Sequence, residues 1–409
     1  MNRRTTRTLA ALAAAALVLG ACGDDDDDDA GGTSAPSETT AGADTTDGGA
    51  TTEATDGTDS TDGTAGGAID LASVCPDPIS IQTDWFPEAE HGSLYQMLGE
   101  EYDVDTSKKV VRGPLVANGQ ETGVEIEIRS GGPAIGFEPV SVQQYADDSI
   151  TLGYANTEGQ ILRWTETPVI SVVAPLEINP QIIFWDPETY PEVETLADLG
   201  EEGVTINVFP GGTFADVFVA EGIWSEDQVD PSYDGSPARF IAEDGRIAQQ
   251  GFASAEPYNY EHVFEEWGKP VAFQLLHDAG FEVYSQTLSV RPDMLEELSP
   301  CLERFVPIVQ QAAIDYINDP DRANAIIIDA VERFDDFWTY SEGLANFSVE
   351  AQRELGLVGN GPDGILGNMD EERIQGVIDQ IRGAGLDVPD DLTAADLMTN
   401  EFIDESIGL

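Results

Sequence analysis

The chain has 409 residues, and its 78 acidic residues against 18 basic ones give a net charge of −60. This charge excludes a nucleic-acid-binding surface, because phosphate contacts need clustered Lys and Arg, and it argues against a basic membrane-binding face. Since 41% of the residues are hydrophobic and 8% are aromatic, the chain can build a large core. Only 14 of the acids lie in the first 70 residues, so the rest of the chain is itself strongly acidic.

The first 21 residues have the features of an export signal. Three arginines precede an apolar run at 8–20, which is shorter than the about 20 residues that a membrane-spanning helix needs. The run ends in Leu19-Gly20-Ala21-Cys22, which resembles a bacterial lipobox. The resemblance implies a signal peptide at 1–21 and a diacylglyceryl group on Cys22; an ordinary cleavage site beside an incidental cysteine is the alternative.

The next segment has the composition of a tether. Residues 23–68 are nearly all Asp, Gly, Thr, Ala, Ser and Glu, and such a composition cannot bury a core. We therefore expect 22–70 to be the lipidated cysteine followed by a disordered acidic tether. The run Asp24 to Asp29 could also bind a metal, but solvated low complexity explains it better.

From residue 79 onward, short β-rich runs alternate with helical periods, which predicts parallel or mixed sheets covered on both faces. Strands are predicted at 79–83, 124–129, 151–154, 169–174, 181–185, 204–209, 251–253, 271–276 and 281–290. Helices are predicted at 91–102, 139–146, 158–164, 214–221, 237–249 and 258–267. After residue 290 the strands stop, and apolar residues at helical spacing over 302–316 and 374–381 predict C-terminal helices.

The length of the folded region favours two lobes over one large domain. The run at 169–185 is predicted to cross outward, and 281–290 is predicted to return. Two crossings make a hinge with a cleft between the lobes, and ligand sites favour such clefts. We assign 71–175 and 284–409 to lobe 1, with the C-terminal helices packed on it, and 176–283 to lobe 2.

Two cysteines remain after Cys22. In an exported, oxidising compartment an even pair predicts a disulfide between Cys75 and Cys301. Two separate buried thiols are the alternative.

Polar and aromatic residues cluster directly after the first predicted strand, where ligands bind in open α/β sheets. Trp85 offers a flat apolar face with one donor, and His91 offers a donor and an acceptor near a helix start. Core packing of Trp85 and local capping by His91 are the alternatives. The candidates from this segment are Asp84, Trp85, Glu88, His91 and Tyr95.

Later strand ends supply further candidates. Thr213 opens a helix after the Gly211-Gly212 turn and forms a capping-box pattern with Asp216, while free backbone amides there could face a ligand. Glu256 could accept from an amino or ring N–H group, and it could equally be a helix N-terminal acid. The remaining candidates are Phe214, the stacking residue Tyr258, and the amide of Asn156.

The first segment resembles the signature of substrate-binding proteins of ABC importers related to the thiamine-pyrimidine synthases, a family that includes nitrate, sulfonate and taurine binders. The matching residues are Asp84, Trp85, Pro87, His91, Gly92 and Tyr95. Weaker matches at 131–133, 211–214, 254–258 and 399–402 occur in the same order, so the resemblance spans about 79–405. It implies a two-lobed periplasmic-binding-protein fold of type II, with each lobe a mixed sheet flanked by helices.

The resemblance also implies a function. We expect a monomeric solute-binding lipoprotein on the outer face of the bacterial cell membrane, attached only through its lipid, which delivers a small molecule to an ABC permease. No Lys or Arg lies in the candidate segments and aromatic residues are plentiful, which favours a heteroaromatic or nitrogenous ligand, such as a thiamine-precursor-like or flavin-like molecule.

Two alternatives stay open. One is a small anion such as nitrate, a sulfonate or taurine in the same fold. The other is a synthase-like enzyme, which is disfavoured because the cysteine-rich motif of that branch is missing and the three histidines lack metal-ligand spacing. We therefore expect no catalysis, no cofactor and no metal.

Overall fold

The computed structural model describes residues 69–409, so the signal-peptide, lipidation and tether predictions up to residue 68 lie outside the described residues. The strands of the described part are β1 (Ile79–Gln82), β2 (Asp103–Asp105), β3 (Val110–Ala117), β4 (Gln120–Arg129), β5 (Leu152–Ala155), β6 (Ile170–Val173), β7 (Gln181–Trp185), β8 (Thr205–Asn207), β9 (Val229–Asp230), β10 (Ile247–Phe252), β11 (Ala272–Leu275) and β12 (Thr287–Val290). The α-helices are α1 (Gly92–Gln96), α2 (Val140–Ala146), α3 (Thr157–Arg163), α4 (Leu196–Glu201), α5 (Thr213–Ala220), α6 (Ala238–Ala242), α7 (Glu256–Tyr258), α8 (Leu295–Asn318), α9 (Asp321–Phe334), α10 (Glu342–Glu354), α11 (Glu371–Gly383) and α12 (Ala394–Leu397).

The first lobe contains a seven-stranded mixed sheet in the order β2-β3-β4-β1-β5-β12-β6. Strand β1 pairs in parallel with both β4 and β5, so the carboxyl ends of these three strands lie at the same edge of the sheet. All four residues of β1 are buried, as expected for a central strand covered on both faces.

The second lobe contains a five-stranded sheet in the order β11-β7-β10-β8-β9. Strand β7 is apolar and buried from Ile182 to Trp185, as expected for a strand that is covered on both faces. Ile183 and Trp185 face one hydrophobic cluster, whereas Ile182 and Phe184 face another. This division follows from the two-residue period of a strand.

The chain crosses between the lobes twice, between β6 and β7 and between β11 and β12. Arg373 of α11 contacts both crossings. Its guanidinium donates to the backbone oxygens of Glu177 (2.9 Å) and Val283 (3.0 Å), and it lies 3.7 Å from the ring centroid of Tyr284.

The C-terminal helices cover the first lobe and extend over the second. Helices α8, α9 and α10 pack into the core of the first sheet. Helix α11 instead inserts Ile374, Val377, Ile378 and Ile381 into a core of the second lobe. A disulfide joins Cys75 to Cys301, with 4.7 Å between their Cα atoms, which confirms that prediction.

Some predicted elements are wrong. The helix predicted at 237–249 is the short α6 followed by β10, because Asp244 and Gly245 both adopt positive φ and end the helix. Thr213 is not an N-cap, since Gly212 occupies that position and no side chain caps α5. The strand predicted at 281–290 is regular only over β12.

Within residues 69–409, none of the helices combines the length and the apolar character that crossing a membrane requires.

Candidate ligand-binding site

The site begins where β1 ends against a glycine turn. The backbone N–H of Gly131 donates to the Trp85 oxygen at 2.9 Å, and the Thr83 hydroxyl donates to the same oxygen. A Cβ on Gly131 would lie 2.2 Å from the Thr83 oxygen, and one on Gly132 would lie 2.6 Å from the Trp85 ring. Only glycine therefore allows this turn to approach β1, and the approach fixes Trp85 at the sheet edge.

A cavity of about 130 Å³ lies between the lobes, next to Trp85. Five aromatic residues line it, two from the first lobe and three from the second: Trp85, Trp338, Phe209, Tyr233 and Phe252. The Trp85 and Trp338 rings are perpendicular, with centroids 6.1 Å apart, and the centroids of Phe209 and Tyr233 are 4.6 Å apart. The cavity therefore presents flat apolar surfaces from both lobes.

Four carboxyl groups line the same cavity, and no Lys or Arg does: Asp84, Glu88, Glu90 and Glu256. Burial raises the pKa of Glu88 well above its usual range, and repulsion from Glu90 and Asp84 adds to this. Burial also raises the pKa of Glu90, and it raises that of Glu256 to about 7. The cavity therefore collects carboxyl groups whose ionisation is disfavoured by burial.

His91 is the base nearest to these acids. It is fully buried, and its Nε2 lies 3.0 Å from Asp84 Oδ1 and 3.6 Å from Glu88 Oε1. Because ligand atoms of these three residues all lie within 4.8 Å of one another, they could hold a metal ion. The sequence predicts no metal, because its three histidines lack metal-ligand spacing.

Gln286 lies beside the same group, at the start of the return strand. Its Nε2 donates to Asp84 Oδ1 at 3.3 Å, and its Oε1 has no hydrogen-bond partner within residues 69–409 although the residue is only 3% exposed. Gln286 also adopts φ 53°, which is unfavourable for a residue with a side chain. A buried amide oxygen without a partner, at the wall of the cavity, is an available acceptor for a ligand.

The two lobes are joined behind the cavity by a buried hydrogen-bond chain. The Ser254 hydroxyl, from the second lobe, donates to Glu90, and the Ser348 hydroxyl of α10 donates to the Ser254 oxygen at 2.7 Å. Ser254 and Ser348 are at most 1% exposed. The lobes therefore meet closely at this point.

Glu256 is held partly by its own strand end. Its Oε2 accepts from the Phe252 N–H at 2.5 Å, and a Cβ on Gly251 would lie 2.6 Å from the Glu256 side chain. One carboxylate oxygen thus satisfies a backbone donor of β10, and Glu256 also lies in the first turn of α7, as the alternative of a helix N-terminal acid expected, while the residue still lines the cavity.

The remaining predicted residues do not line the interlobe cavity. Asn156 lines a second cavity and accepts from Gly159 N as the N-cap of α3. Tyr95 and Phe214 are buried in the two lobe cores, Thr213 is buried in the first turn of α5, and Tyr258 packs on His262 and Phe347.

The second cavity, of about 200 Å³, lies on the other side of Asp84 and Trp85, which line both cavities. Arg163, at the end of α3, lines it.

Sequence reasoning missed several lining residues. Phe209 ends the strand predicted at 204–209, and Glu90 lies in the first candidate segment, so both carried a local signal. Trp338, Gln286 and Arg163 carried none, because folding brings them to the site from distant parts of the chain.

No family model matches this chain, and no curated protein matches it. Solved structures do match. The ligand-binding component of an ABC-type import system from Staphylococcus aureus, solved with zinc bound, has 12% identity and a TM-score of 0.51, over 80% of this chain and 98% of that one. The aliphatic sulphonate-binding protein SsuA from Escherichia coli has 12% identity and a TM-score of 0.49, over 79% and 92%.

The periplasmic nitrate-binding protein NrtA from Synechocystis PCC 6803 has 11% identity and a TM-score of 0.48, over 80% and 88%. At 12% identity, the match to the Staphylococcus aureus protein carries information about the fold alone. Together with the two mixed sheets, their helices and the C-terminal helices, it confirms the predicted fold class. The chain has the two-lobed periplasmic-binding-protein fold of type II.

Proposed function

We propose that this protein is the solute-binding lipoprotein of an ABC importer, that it captures a small nitrogenous cation between its lobes, and that it delivers this molecule to a membrane permease. The observation that carries the proposal is the interlobe cavity, which is lined by four carboxyl groups and five aromatic residues without a Lys or Arg. The lipobox resemblance at Cys22 supports attachment to the outer face of the cell membrane.

Electrostatics favours a cationic ligand. Withdrawing several carboxyl groups from water is costly unless a positive charge accompanies them, and His91 is the nearest base. A protonated nitrogen would compensate the acids, and the rings of Trp85, Trp338, Phe209 and Tyr233 would attract it through their π faces.

The cavity size favours a small member of this class. Pockets for drug-sized molecules have volumes of about 300–1,000 Å³, whereas this one has about 130 Å³. A thiamine-precursor-like pyrimidine or a short amine suits that volume better than a flavin-like ring.

A small anion is the second candidate, and sulphonate and nitrate are the ligands named for the Escherichia coli and Synechocystis proteins. In the first cavity the carboxyl groups would oppose an anion. A synthase-like reaction is disfavoured, because Cys75 and Cys301 are joined and leave no thiol among residues 69–409 for a cysteine-rich centre.

Thermal-shift and calorimetric titration of the purified full-length chain test the proposal. The ligands are an aminomethylpyrimidine, putrescine, spermidine, riboflavin, nitrate, ethanesulfonate and zinc chloride. We expect an amine or aminopyrimidine to raise the melting temperature by mass action. Glu88→Gln should weaken the affinity for that ligand by about 10- to 100-fold, because it removes a charged partner of the ligand.

The exposed Glu297→Gln supplies a matched control with the same change in net charge, and it should leave the affinity unchanged. Saturable binding of nitrate or ethanesulfonate, strengthened by Glu88→Gln, would favour the anion instead. Zinc binding that is lost in His91→Ala would identify a metal site, and conversion of a ligand into product would contradict a binding protein.

A further inference from the structure

We propose that Gln286 determines which cations the interlobe cavity accepts. Its side-chain oxygen accepts an N–H of the ligand, so the protein selects a protonated amine or an amidinium over a quaternary ammonium ion. The inference rests on the proposed function, because it assumes that a nitrogenous cation binds between the lobes. It adds a requirement on that ligand, namely hydrogens on the charged nitrogen.

The acids beside the Gln286 amide determine its orientation. Its Nε2 donates to Asp84 Oδ1 at 3.3 Å. The opposite orientation would place the amide oxygen against this carboxylate, which accepts hydrogen bonds and, when ionised, donates none. Burial raises the pKa of Glu88, and hydrogen bonding from Gln286 partly opposes this rise. The nitrogen therefore serves the acids of the protein, and Oε1 is the part of the amide that remains for another donor.

This oxygen has no hydrogen-bond partner within the described residues, although Gln286 is only 3% exposed and lines the cavity. The other glutamine of the cavity differs, because Gln250 Oε1 accepts from the Phe209 N–H at 3.0 Å. One oxygen of Glu256 likewise accepts from the Phe252 N–H. Since buried amide oxygens are normally paired, Gln286 Oε1 is an acceptor that a bound ligand can satisfy.

The backbone also indicates that the surroundings hold Gln286 in place. At φ 53°, it is the only buried residue among the non-glycine residues of 69–409 with positive φ. Such strain persists where the surrounding structure fixes it, and strained residues cluster at ligand sites. Gln286 directly precedes β12, so the segment that returns from the second lobe to the first also carries this acceptor.

The free oxygen distinguishes cations that the aromatic residues do not. Aromatic faces attract quaternary ammonium ions and N–H-bearing cations alike. A quaternary nitrogen has no hydrogen to donate, so it would leave the buried oxygen of Gln286 without a partner. Sites that bind a ligand N–H reject analogues without that group for this reason.

Calorimetric titration of the full-length protein with a methylation series tests this role. Protonated benzylamine, N-methylbenzylamine and N,N-dimethylbenzylamine carry the same charge as benzyltrimethylammonium, but the number of N–H donors falls along the series to none. Cumylamine carries its extra methyl groups on carbon and keeps all the donors of benzylamine, so it separates size from hydrogen bonding. We expect benzylamine and cumylamine to bind at least about 10-fold more tightly than benzyltrimethylammonium.

Gln286→Met keeps a side chain of similar size without the amide oxygen. It should weaken benzylamine binding by about 10-fold and change benzyltrimethylammonium binding by less than about 2-fold. Loss of the hydrogen bond to Asp84 affects every cation alike, so the ratio of the two affinities reports on the oxygen. Gln286→Gly suits the positive φ and should show the same loss of selectivity. Gln120→Met, at an exposed position, is the matched control and should change neither affinity.

Three results would overturn this role of Gln286, while Glu88-dependent binding of benzylamine would still support the proposed function. The first is that benzyltrimethylammonium binds to the wild type as tightly as benzylamine. The second is that Gln286→Met weakens both ligands by the same factor. The third is that cumylamine binds as weakly as benzyltrimethylammonium, which would attribute the preference to size. Failure of every amine and of the quaternary ion to bind would overturn both proposals.

Discussion

Glu256 and Glu88 illustrate how burial sets the charge of single residues in the cleft. Burial raises the pKa of Glu256 from 4.5 to about 7, and it raises that of Glu88 well above the usual range. Ionising either acid is therefore less favourable in the folded protein than in the unfolded chain. This difference makes both the stability and the binding of the protein dependent on pH.

We expect the free energy of unfolding of the ligand-free protein to fall as the pH rises from about 4.5 to about 7. In this window the folded Glu256 binds more protons than the unfolded one, because its folded pKa is the higher of the two. The stability is therefore greatest below the unfolded pKa and is lost as the pH passes the folded pKa. Urea unfolding at several pH values measures this, and Glu256→Gln should flatten the slope. An unchanged slope would contradict the role of Glu256.

Binding should respond to pH in the opposite direction. A cation interacts with ionised carboxylates, so its affinity should rise between about pH 5 and 8 as Glu256, whose pKa burial raises to about 7, loses its proton. Calorimetry of the best-binding amine at fixed ionic strength checks this. An amine that binds equally well at pH 5 and pH 8 would argue against direct contact with these acids.

At the level of the element, the Gly131-Gly132 turn after β4 determines where the end of β1 lies. Gly132 has φ 56°, and a Cβ there would meet the Trp85 ring at 2.6 Å. Gly136 has a similar φ of 68°, but a Cβ there would meet open space. Substitutions at these two glycines therefore distinguish the effect of backbone strain alone from the added effect of contact with the Trp85 ring.

Gly136→Ala should cost only the strain of a left-handed residue, about 1 kcal/mol. Gly132→Ala should cost more, and it should also displace Trp85 and weaken ligand binding by at least about 10-fold. Urea unfolding and calorimetry of both variants measure these effects. If both variants bound ligand like the wild type, the position of Trp85 would not depend on the turn.

Local turn chemistry determined several elements that a search for apolar periods alone overlooks. Asn118 and Gly119 both have positive φ and form the tight turn of the β3–β4 hairpin. Asp244-Gly245 ends α6 in the same way. Both dipeptides are familiar turn signals in a sequence. The prediction of a helix over 237–249 was wrong because it followed the helical spacing of the apolar residues and overlooked the Asp244-Gly245 turn.

For the whole molecule, the disulfide connects positions that are 226 residues apart. It encloses all of lobe 2 within one covalent loop and thereby restricts the unfolded chain. Replacing both Cys75 and Cys301 by Ala should lower the free energy of unfolding by about 4–5 kcal/mol in the chain-entropy account. Urea unfolding measures the loss, and a reductant should affect the wild type but not the double variant. Equal stability of the two proteins would contradict the prediction.

Like the disulfide, Arg373 links parts of the chain that are distant in sequence, because it contacts both crossings between the lobes. Its pair with Glu177 is buried, with side chains 9% and 15% exposed. Arg373→Ala would leave Glu177 without its partner and should cost about 3 kcal/mol of unfolding free energy. Arg382→Ala, at a more exposed ion pair, should cost less than about 1 kcal/mol. Similar losses in both variants would contradict a special role for the hinge contact.

The sequence by itself determined the features that depend on local pattern and chemistry. Alternating strands and helices, the apolar faces of α8 and α11, the cysteine pair and the cluster after β1 could all be read from the chain. These features are local, because periodicity and turn residues act over a few positions, while the even cysteine pair needs only an oxidising compartment.

Only the tertiary structure decided the character of the cleft. It brings Trp338 to Trp85 and Ser254 to Glu90, and it places Arg163 beside the cavity where Tyr154 lies buried. The structure also separates two groups of acidic residues: a few in the cleft are buried away from water, whereas most of the others remain in contact with solvent. Such contacts and pKa shifts depend on burial and on distance in space, which residues far apart in the chain do not reveal.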